Sequence, residues 1–294
     1  MNHAAAMPAK IPNSPPRGPR KRKPIKAPKI NAFSQPSWSG VPAFFARPDL
    51  RAGFNIKIVT GNNPRDIAPE AIIIAAGTGK RIGENIKQTP KSLIQVNGKS
   101  IIEYQIDVLK KMNVEEIIVI TGPYSEKFHL ENVQYIKDVN HEEHEILGSL
   151  MVAREFLKDE VLVLYSDIIF TSEILENIVN STNDIALAVD MNWRERYIGR
   201  TEHPLSEAEN VLLDDKKHIK KIKKNISDDE SVVGEFLGII KFTLEGSKKF
   251  VKIYDEVIKT NKGKFHDADT VSKAYVTDMI QELIDSKIQI TPIS

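Results

Sequence analysis

An apolar run that ends in a glycine-rich, cationic loop limits what this sequence can fold into. Residues 71–76 read AIIIAA, and GTGKRIGENIKQTPKSL follows directly. A β-branched run that is apolar on both sides predicts a strand covered on both faces, as in a parallel sheet. Ligands of open α/β sheets bind outside the carboxyl ends of the strands, so this loop is a predicted binding site.

The chain after Pro69 alternates short apolar runs with amphipathic segments. Further strands are predicted in EEIIVITG (115–122), EVLVLYSD (160–167) and IALAVD (185–190). Ser100 with Glu103 predicts a capped helix start before IIEYQIDVLKKM, and other helices are predicted at 148–157 and 277–287. Strands that alternate with helices predict a doubly wound α/β sheet.

Residues 1–68 have a different composition from the rest of the chain. They carry 12 Lys and Arg but only 2 Asp and Glu, out of 41 and 40 in the whole sequence, and they are rich in proline. Such a segment cannot bury enough apolar surface to offset its ordering entropy, which predicts a disordered arm. A single domain is therefore expected at 69–294, and that domain is acidic on balance.

The composition also excludes several classes of site. The sequence has no cysteine, which excludes disulfides, thiol nucleophiles and cysteine-bound zinc. We found no apolar stretch of the roughly 18 to 20 residues that a membrane span needs, and no apolar core of a signal peptide. A cytoplasmic protein is the expectation.

The loop after the first strand has the chemistry of an anion site. Gly77 and Gly79 can present bare N–H groups to a ligand, and Lys80, Arg81 and Lys91 add three cations. The spacing of the glycines is G-x-G-x-x-x-G, which differs from the G-x-G-x-x-G of dinucleotide sites, and the P-loop pattern is absent. The sequence therefore indicates a phosphate-bearing ligand held in another way.

AAGTGKRIG followed by TPKSLIQVNGKSIIEY resembles the signature of the sugar-phosphate nucleotidyltransferase family. In that signature a strand leads into A-A-G-x-G-x-R, and T-P-K-x-L comes some residues later. The resemblance extends over about 69–294 and has no counterpart in the arm. It implies a Rossmann-like (GT-A-type) mixed, mostly parallel sheet with helices on both faces.

The resemblance also implies roles for individual residues. Arg81 would hold the departing pyrophosphate, and Lys91 would contact the phosphoryl groups under attack. The residues expected to bind the nucleotide are Ala75, Ala76, Gly77, Thr78, Gly79, Lys80, Arg81 and Ser149. Ser149 is also expected to cap the helix that it opens.

The resemblance implies a divalent metal, and Mg2+ suits a carboxylate completed by phosphate oxygens and water. Asp167, at the end of the predicted strand at 160–167, is the expected ligand and the third catalytic residue beside Lys91 and Arg81. Asp278 is the expected second ligand, with Asp269 and Glu235 as rivals. An acid at the start of a helix is also favoured by the helix dipole, so that reading of Asp278 stays open.

The segments at 188–214 and 234–242 resemble the cytidylyltransferase branch that acts on small amine-bearing phosphates or phosphonates. The element RTEHP favours 2-aminoethylphosphonate as the acceptor. Cations would hold its acidic group and aromatic rings or carboxylates its ammonium group. The candidates are Arg194, Arg196 and Arg200 for the former, and Asp190, Trp193, Tyr197 and Glu235 for the latter, with His203 as a further contact.

The implied reaction transfers a cytidylyl group from CTP to this acceptor and releases pyrophosphate. Phosphocholine cytidylyltransferase and sugar-1-phosphate nucleotidyltransferase are the alternatives within the resemblance. An NAD-dependent oxidoreductase and a nucleic-acid-binding protein that uses the basic arm are the rivals from other classes. CTP and the small acceptor are the expected partners, a homodimer is left open, and neither nucleic acid nor a membrane is expected.

Overall fold

The computed structural model describes residues 69–77, 89–200, 205–227 and 232–294. All of them belong to one compact unit, Thr60–Ser294. The predicted disordered arm and its predicted boundary at residue 68 lie outside the described residues. Among the described helices, none combines the length and the apolarity needed to cross a bilayer.

The described elements alternate along the chain. The strands are β1 Glu70–Ala75, β2 Gln95–Val96, β3 Lys99–Ser100, β4 Ile117–Thr121, β5 Gln134–Lys137, β6 Val161–Tyr165, β7 Ile185–Asp190, β8 Glu209–Leu213, β9 Ile219–Lys224, β10 Val233–Phe242 and β11 Thr291–Ile293. The helices are α1 Ile101–Lys111, α2 Ile146–Val152, α3 Ser172–Val179, α4 Leu244–Thr260 and α5 Val276–Asp285.

One mixed sheet organises these elements. Its order is β11-β7-β10-β6-β1-β4-β5, and the β8–β9 hairpin pairs with the first half of β10. Strands β6, β1, β4 and β5 are paired in parallel, whereas β10 runs antiparallel to both β6 and β7. Of the strands described in this sheet, only β9 and β10 run against the others, which confirms the predicted Rossmann-like, mostly parallel arrangement.

Helices cover both faces of the sheet because β1 is apolar on both sides. Ile72 and Ile74 pack into one core with α2, α4 and α5. Ala71, Ile73 and Ala75 pack into the other with α1 and α3. Successive side chains of a strand point to opposite faces, so a continuous apolar run supplies both cores.

The first helix begins where the sequence predicts. The Ser100 backbone N–H donates to Glu103 Oε2 at 2.8 Å, which completes the predicted capping box. The Ser100 hydroxyl and N–H together lower the pKa of Glu103. Ile102, Ile106 and Leu109 form the buried stripe of this helix.

The second predicted helix is shorter than expected and begins earlier. Helix α2 starts at Ile146, with Glu145 as the residue before its first turn, and it ends at Val152. Arg154–Phe156 continues as a separate 3-10 turn. The prediction that Ser149 opens and caps this helix is therefore wrong, because Ser149 lies inside it.

A bulge divides β10 into two halves. The pairing of β10 with β7 shifts register between Phe236 and Ile240, and Gly238 within the shift has a φ of +75°. A Cβ atom at Gly238 would lie 2.9 Å from the Cβ and Cγ of Tyr165. The bulge thus lets the Tyr165 ring rest directly on the strand backbone.

Replacing Gly238 with Ala should destabilise the protein by about 2–3 kcal/mol, because a side chain costs energy at positive φ and would also press on the Tyr165 ring. Urea unfolding followed by circular dichroism measures the change. The matched control is Gly263→Ala, where an added Cβ meets nothing within 4 Å. Equal midpoints for the two variants would contradict this account of the bulge.

Candidate active site

The exit of β1 is the centre of the site that the sequence predicts. Ala75 and Ala76 are buried and Gly77 is exposed, so the chain emerges from the sheet at Gly77. Gly122, just past β4, packs so closely that a Cβ there would lie 2.2 Å from the Ala76 carbonyl oxygen. The neighbouring strand therefore buttresses the backbone at the point where the ligand is expected.

Four of the predicted nucleotide-binding residues lie outside the described residues. These are Thr78, Gly79, Lys80 and Arg81. The predicted roles of these residues, including that of Arg81 toward pyrophosphate, remain predictions.

Lys91 and Asp167, which are 76 positions apart in the chain, meet at this edge of the sheet. Lys91 begins the 3-10 turn Lys91–Leu93 after Pro90, and Asp167 follows the end of β6 by two residues. Lys91 Nζ lies 3.5 Å from Asp167 Oδ2, and the two side chains are 40% and 42% exposed. A solvated pair of this kind adds little stability, so both charges can rearrange around an anionic ligand.

A buried carboxylate, Asp138, anchors the loop after β5. Its side chain is fully buried and accepts hydrogen bonds from the Asn140 backbone N–H at 3.0 Å and from Ser149 Oγ at 2.8 Å. His144 Nδ1 lies 3.0 Å from both carboxylate oxygens, so this nitrogen carries a proton. Asp138 therefore fixes Ser149, the predicted base contact, and the turn that precedes α2.

The predicted acceptor segment folds into a 3-10 helix, Trp193–Tyr197, directly after β7. Trp193 is buried and its indole N–H donates to the Val233 carbonyl at 3.1 Å. The Arg194 guanidinium lies 4.7 Å from the centre of the Trp193 ring. Trp193 thus packs as a core residue, with an arginine over its ring.

The two carboxylates predicted to bind the ammonium group of the acceptor, Asp190 and Glu235, both interact with other side chains. Arg196 Nε lies 2.5 Å from Asp190 Oδ2, and the Tyr197 hydroxyl donates to Glu235. Burial and this hydrogen bond raise the pKa of Tyr197 far above its usual value. Asp190 and Glu235 face each other across β7 and β10, so the structure brings them together.

The remaining predicted acceptor residues are placed differently. The Arg200 guanidinium lies 4.6 Å from the centre of the Tyr197 ring. His203 lies outside the described residues. Arg194 and Arg200 thus both lie over aromatic rings of the same short helix.

Asp278, the predicted second metal ligand, caps its own helix. The Tyr275 backbone N–H donates to Asp278 Oδ2 at 2.8 Å, in a capping box at the start of α5. Burial raises the pKa of Asp278. Its rival Asp269 is exposed in the loop before α5.

Among the described residues, three potential metal ligands converge at His266, Glu282 and Asp285, and Asp167 is not one of them. His266 and Asp285 of this group are exposed, and His266 Nε2 lies 3.0 Å from Glu282 Oε2. The group gives no support to a preformed metal cage of protein ligands.

Glu209 is a candidate that sequence reasoning missed. It opens β8, and its Oε1 accepts a hydrogen bond from Thr277 Oγ1 at 3.2 Å. Burial raises the pKa of Glu209 to about 7, despite the opposing influence of Thr277 and Lys224. No motif spacing marks this position, because its burial arises from contacts with α5, which is distant in sequence.

Comparison with known proteins agrees with this geometry. The profile of the MobA-like NTP transferase domain matches residues 71–229, which is 159 of the 294 residues. The chain belongs to this family. The match begins in β1, includes Lys91 and Asp167, and ends after β9, so the resemblance to nucleotidyltransferases is confirmed and the protein is a nucleotidyltransferase.

Two proteins that are similar in sequence to this chain have names that refer to CTP or to a CMP-linked product. The CTP:phosphoglutamine cytidylyltransferase of Campylobacter jejuni is 25% identical over 228 residues, which cover 73% of this chain and 88% of that protein. The CMP-5'-(3-aminopropyl)phosphonate synthase of Streptomyces rubellomurinus is 27% identical over 139 residues, 45% of this chain and 22% of that protein. The match to the phosphonate synthase therefore covers less than a quarter of that protein's length.

Solved structures share the fold. The CTP:phosphocholine cytidylyltransferase of Streptococcus pneumoniae aligns with a TM-score of 0.59 and 22% sequence identity. The alignment covers 78% of this chain and 91% of that structure. The inositol-1-phosphate CTP transferase of T. maritima aligns with the same TM-score and 18% identity. At this identity the likeness establishes the architecture alone.

Replacing Asp138 with Ala should lower the free energy of unfolding by about 3 kcal/mol, because it removes the acceptor of the buried Ser149 hydroxyl and of the partly buried His144 ring. Chemical unfolding measures the loss. Asp215→Asn, in the exposed turn between β8 and β9, serves as the control and should change stability by less than about 0.5 kcal/mol. A similar loss in both variants would contradict the role of Asp138 as an anchor.

Proposed function

We propose that this protein transfers the cytidylyl group of CTP to a small amine-bearing phosphonate or phosphate and releases pyrophosphate. 2-Aminoethylphosphonate is the acceptor that we favour. The observation that carries the proposal is that Lys91 and Asp167 lie 3.5 Å apart at the edge of the sheet where the chain leaves β1 toward Gly77. At the carboxyl end of a strand, the lysine can pair with the phosphates of a nucleoside triphosphate, and the exposed carboxylate can bind the metal ion that accompanies those phosphates.

The choice of CTP is supported by the two relatives named above. Each of them carries CTP or a CMP-linked product in its name. The acceptors in those names are a phosphorylated glutamine and an aminopropylphosphonate, and each contains both an acidic phosphorus group and nitrogen. An acceptor with both features is therefore favoured over a sugar phosphate.

The acceptor segment offers complementary charge for such a molecule. Arg194 and Arg200 lie over the rings of Trp193 and Tyr197, and these cation–π contacts restrict the movement of their guanidinium groups. A fixed guanidinium can bind a phosphonate through two parallel hydrogen bonds. We assign the acidic end of the acceptor to this side of the site.

The proposed mechanism needs no general base. The acceptor oxygen is already anionic, and it attacks the α-phosphorus of CTP in line with the departing pyrophosphate. The main obstacle is repulsion between two anions, which Lys91 lowers by pairing with the phosphoryl oxygens. The backbone at Gly77, held by β4, positions the nucleotide for the attack.

The residues present are compatible with Mg2+, the predicted cofactor. Asp167 is an exposed carboxylate, and Mg2+ commonly binds one or two carboxylates, with phosphate oxygens and water as its other ligands. When bound, the cation supplies positive charge to the phosphate oxygens. Asp167 would hold it, and Asp278 stays the proposed second ligand.

A screen for pyrophosphate release tests the proposed function. The protein is incubated with Mg2+, one of the four nucleoside triphosphates and one acceptor from a panel of aminoalkylphosphonates, phosphorylated amino alcohols and hexose phosphates. We expect release with CTP and 2-aminoethylphosphonate to exceed every other combination. A preference for phosphocholine or for a hexose 1-phosphate would replace the favoured acceptor, and absence of release would reject the proposal.

Replacing Lys91 with Ala should lower kcat by ~10²-fold or more, because the loss removes a charge contact to the reacting phosphates. Steady-state pyrophosphate release measures the effect. Lys110→Ala removes a cation from the exposed side of α1 and should leave kcat unchanged. Near-normal turnover by the folded Lys91 variant would show that Lys91 does not act in the reaction.

A further inference from the structure

A buried carboxylate fixes the direction of a serine hydroxyl at the carboxyl edge of the sheet. Ser149 Oγ donates to Asp138 Oδ2 at 2.8 Å. A hydroxyl has one hydrogen to donate, and a carboxylate can only accept, so this hydrogen belongs to Asp138. Toward a ligand, Ser149 Oγ is therefore a hydrogen-bond acceptor and not a donor.

Three further contacts hold the Asp138 carboxylate in place. The Asn140 backbone N–H donates to its Oδ1 at 3.0 Å, and His144 Nδ1 lies 3.0 Å from both of its oxygens. The His144 ring packs so closely on α2 that a Cβ atom at Gly148 would lie 2.7 Å from its Cγ. Because the carboxylate is fully buried among these donors, it cannot turn away from Ser149.

Asp138 lies at the same edge of the sheet as the exit of β1. Ala75 is level with Thr121, and Thr121 is level with Lys137, so β1, β4 and β5 end in one row. The Asp138 backbone N–H donates to the Thr121 carbonyl at 2.8 Å. Neighbouring strands are about 4.8 Å apart, so Asp138 is two strand spacings, about 10 Å, from the end of β1.

Helix α2 brings Ser149 beside this edge. Leu147 and Leu150 of the helix pack in the same core as Ala76, the residue just past β1. Both leucines are fully buried, whereas Ser149 keeps 4% of its surface exposed. Ser149 therefore lies at the border of the core that supports the expected nucleotide site.

The order of the strands leaves this side of the site for the nucleobase. The Lys91–Asp167 pair follows β6, and the acceptor segment Trp193–Tyr197 follows β7. Both strands lie on one side of β1, whereas β4 and β5 lie on the other. A nucleotide whose reacting phosphate faces the acceptor directs its base away from it, toward β4, β5 and Ser149.

We infer that Asp138 is a positioning residue that makes the site select cytosine over uracil. It does so by holding Ser149 Oγ as an acceptor for the 4-amino group of the base. This inference rests on the proposed function and names how the nucleotide is chosen. Cytosine has an N–H donor at position 4, where uracil has a carbonyl acceptor. CTP therefore gains a hydrogen bond where UTP would set two acceptors against each other.

The selectivity depends on Asp138 because serine alone does not discriminate. A free hydroxyl can rotate, and it donates to a carbonyl as readily as it accepts from an amine. Once its hydrogen is held by a buried carboxylate, the hydroxyl can pair only with a donor. A site built in this way rejects a base that offers no donor at the matching position.

The variant Asp138→Asn tests this role, because it keeps the shape of the side chain and supplies an N–H donor. That amide can donate to Ser149 Oγ and so free the hydroxyl hydrogen to turn toward the ligand. kcat/KM is measured for CTP and for UTP with Mg2+ and 2-aminoethylphosphonate. The ratio of the CTP value to the UTP value should fall by about ten- to a hundredfold.

A purely structural role of Asp138 would give a different result. General loss of folded protein lowers the values for both nucleotides alike and leaves their ratio unchanged. Asp215→Asn makes the same chemical change in the exposed turn between β8 and β9 and should also leave the ratio unaltered.

The variant Ser149→Ala tests the hydroxyl itself. CTP is compared with the triphosphate of the pyrimidin-2-one ribonucleoside, which carries only hydrogen at position 4. kcat/KM with CTP should fall by about tenfold, whereas the value for the analogue should not change, because it has no amino group to lose a partner. Ser286→Ala removes a hydroxyl from an exposed position and serves as the control.

The outcomes separate the inference from the proposed function. A wild-type protein that prefers CTP, with an unchanged nucleotide ratio in Asp138→Asn, would overturn the inference alone. No turnover by the wild-type protein, or no preference for CTP over UTP, would overturn both. If Asp138→Asn fails to fold, Ser149→Ala decides, and equal losses with CTP and the analogue would overturn the inference.

Discussion

The parallel hydrogen bonding of β1 to β4 on one side and β6 on the other is the constraint on which the site depends. Ala75 is level with Thr121, and Ile74 is level with Tyr165. Because all three strands run in one direction, they end at the same edge, and the residues just past them become neighbours. Gly77 and Asp167 therefore lie at the same edge of the sheet, where the Lys91 side chain contacts Asp167. The parallel pairing of β1 with β6 accounts for the placement of Gly77 and Asp167 at this edge.

The parallel part of the fold could be read from the sequence because burial on both faces leaves a continuous apolar signal. The runs at 71–76, 115–122, 160–167 and 185–190 each contain an observed strand. The second half of the sheet gave a weaker signal. β9 reads IKKIKK, with Ile219 and Ile222 buried among exposed lysines, and β10 is interrupted by its bulge. Neither a strict alternation nor an apolar run describes such strands.

The site shows the same division between local and distant causes. Lys91 was predicted from the TPKSL motif of the family resemblance and Asp167 from its place at the end of a predicted strand, and the structure brings their side chains within 3.5 Å of each other. Ser149 was placed at a helix start that lies three residues earlier, since Glu145 and Ile146 carry no strong capping signal. Trp193 suggested an open aromatic face, whereas the fold buries it under Arg194. Glu209 could not be singled out, because its surroundings are assembled from β6, β9 and α5.

The irregularity in β10 gives this architecture a way to change its selectivity. Side chains of a strand alternate between faces, so deleting one of the two extra residues that β10 carries relative to β7 between Phe236 and Ile240 would turn the preceding half of β10 over relative to its neighbours. Glu235 would then exchange places with the residue beside it, and the support under the Tyr165 ring would be lost. A deletion of three nucleotides in the coding sequence would thus refashion the acceptor pocket while leaving the triphosphate cradle at β1 intact.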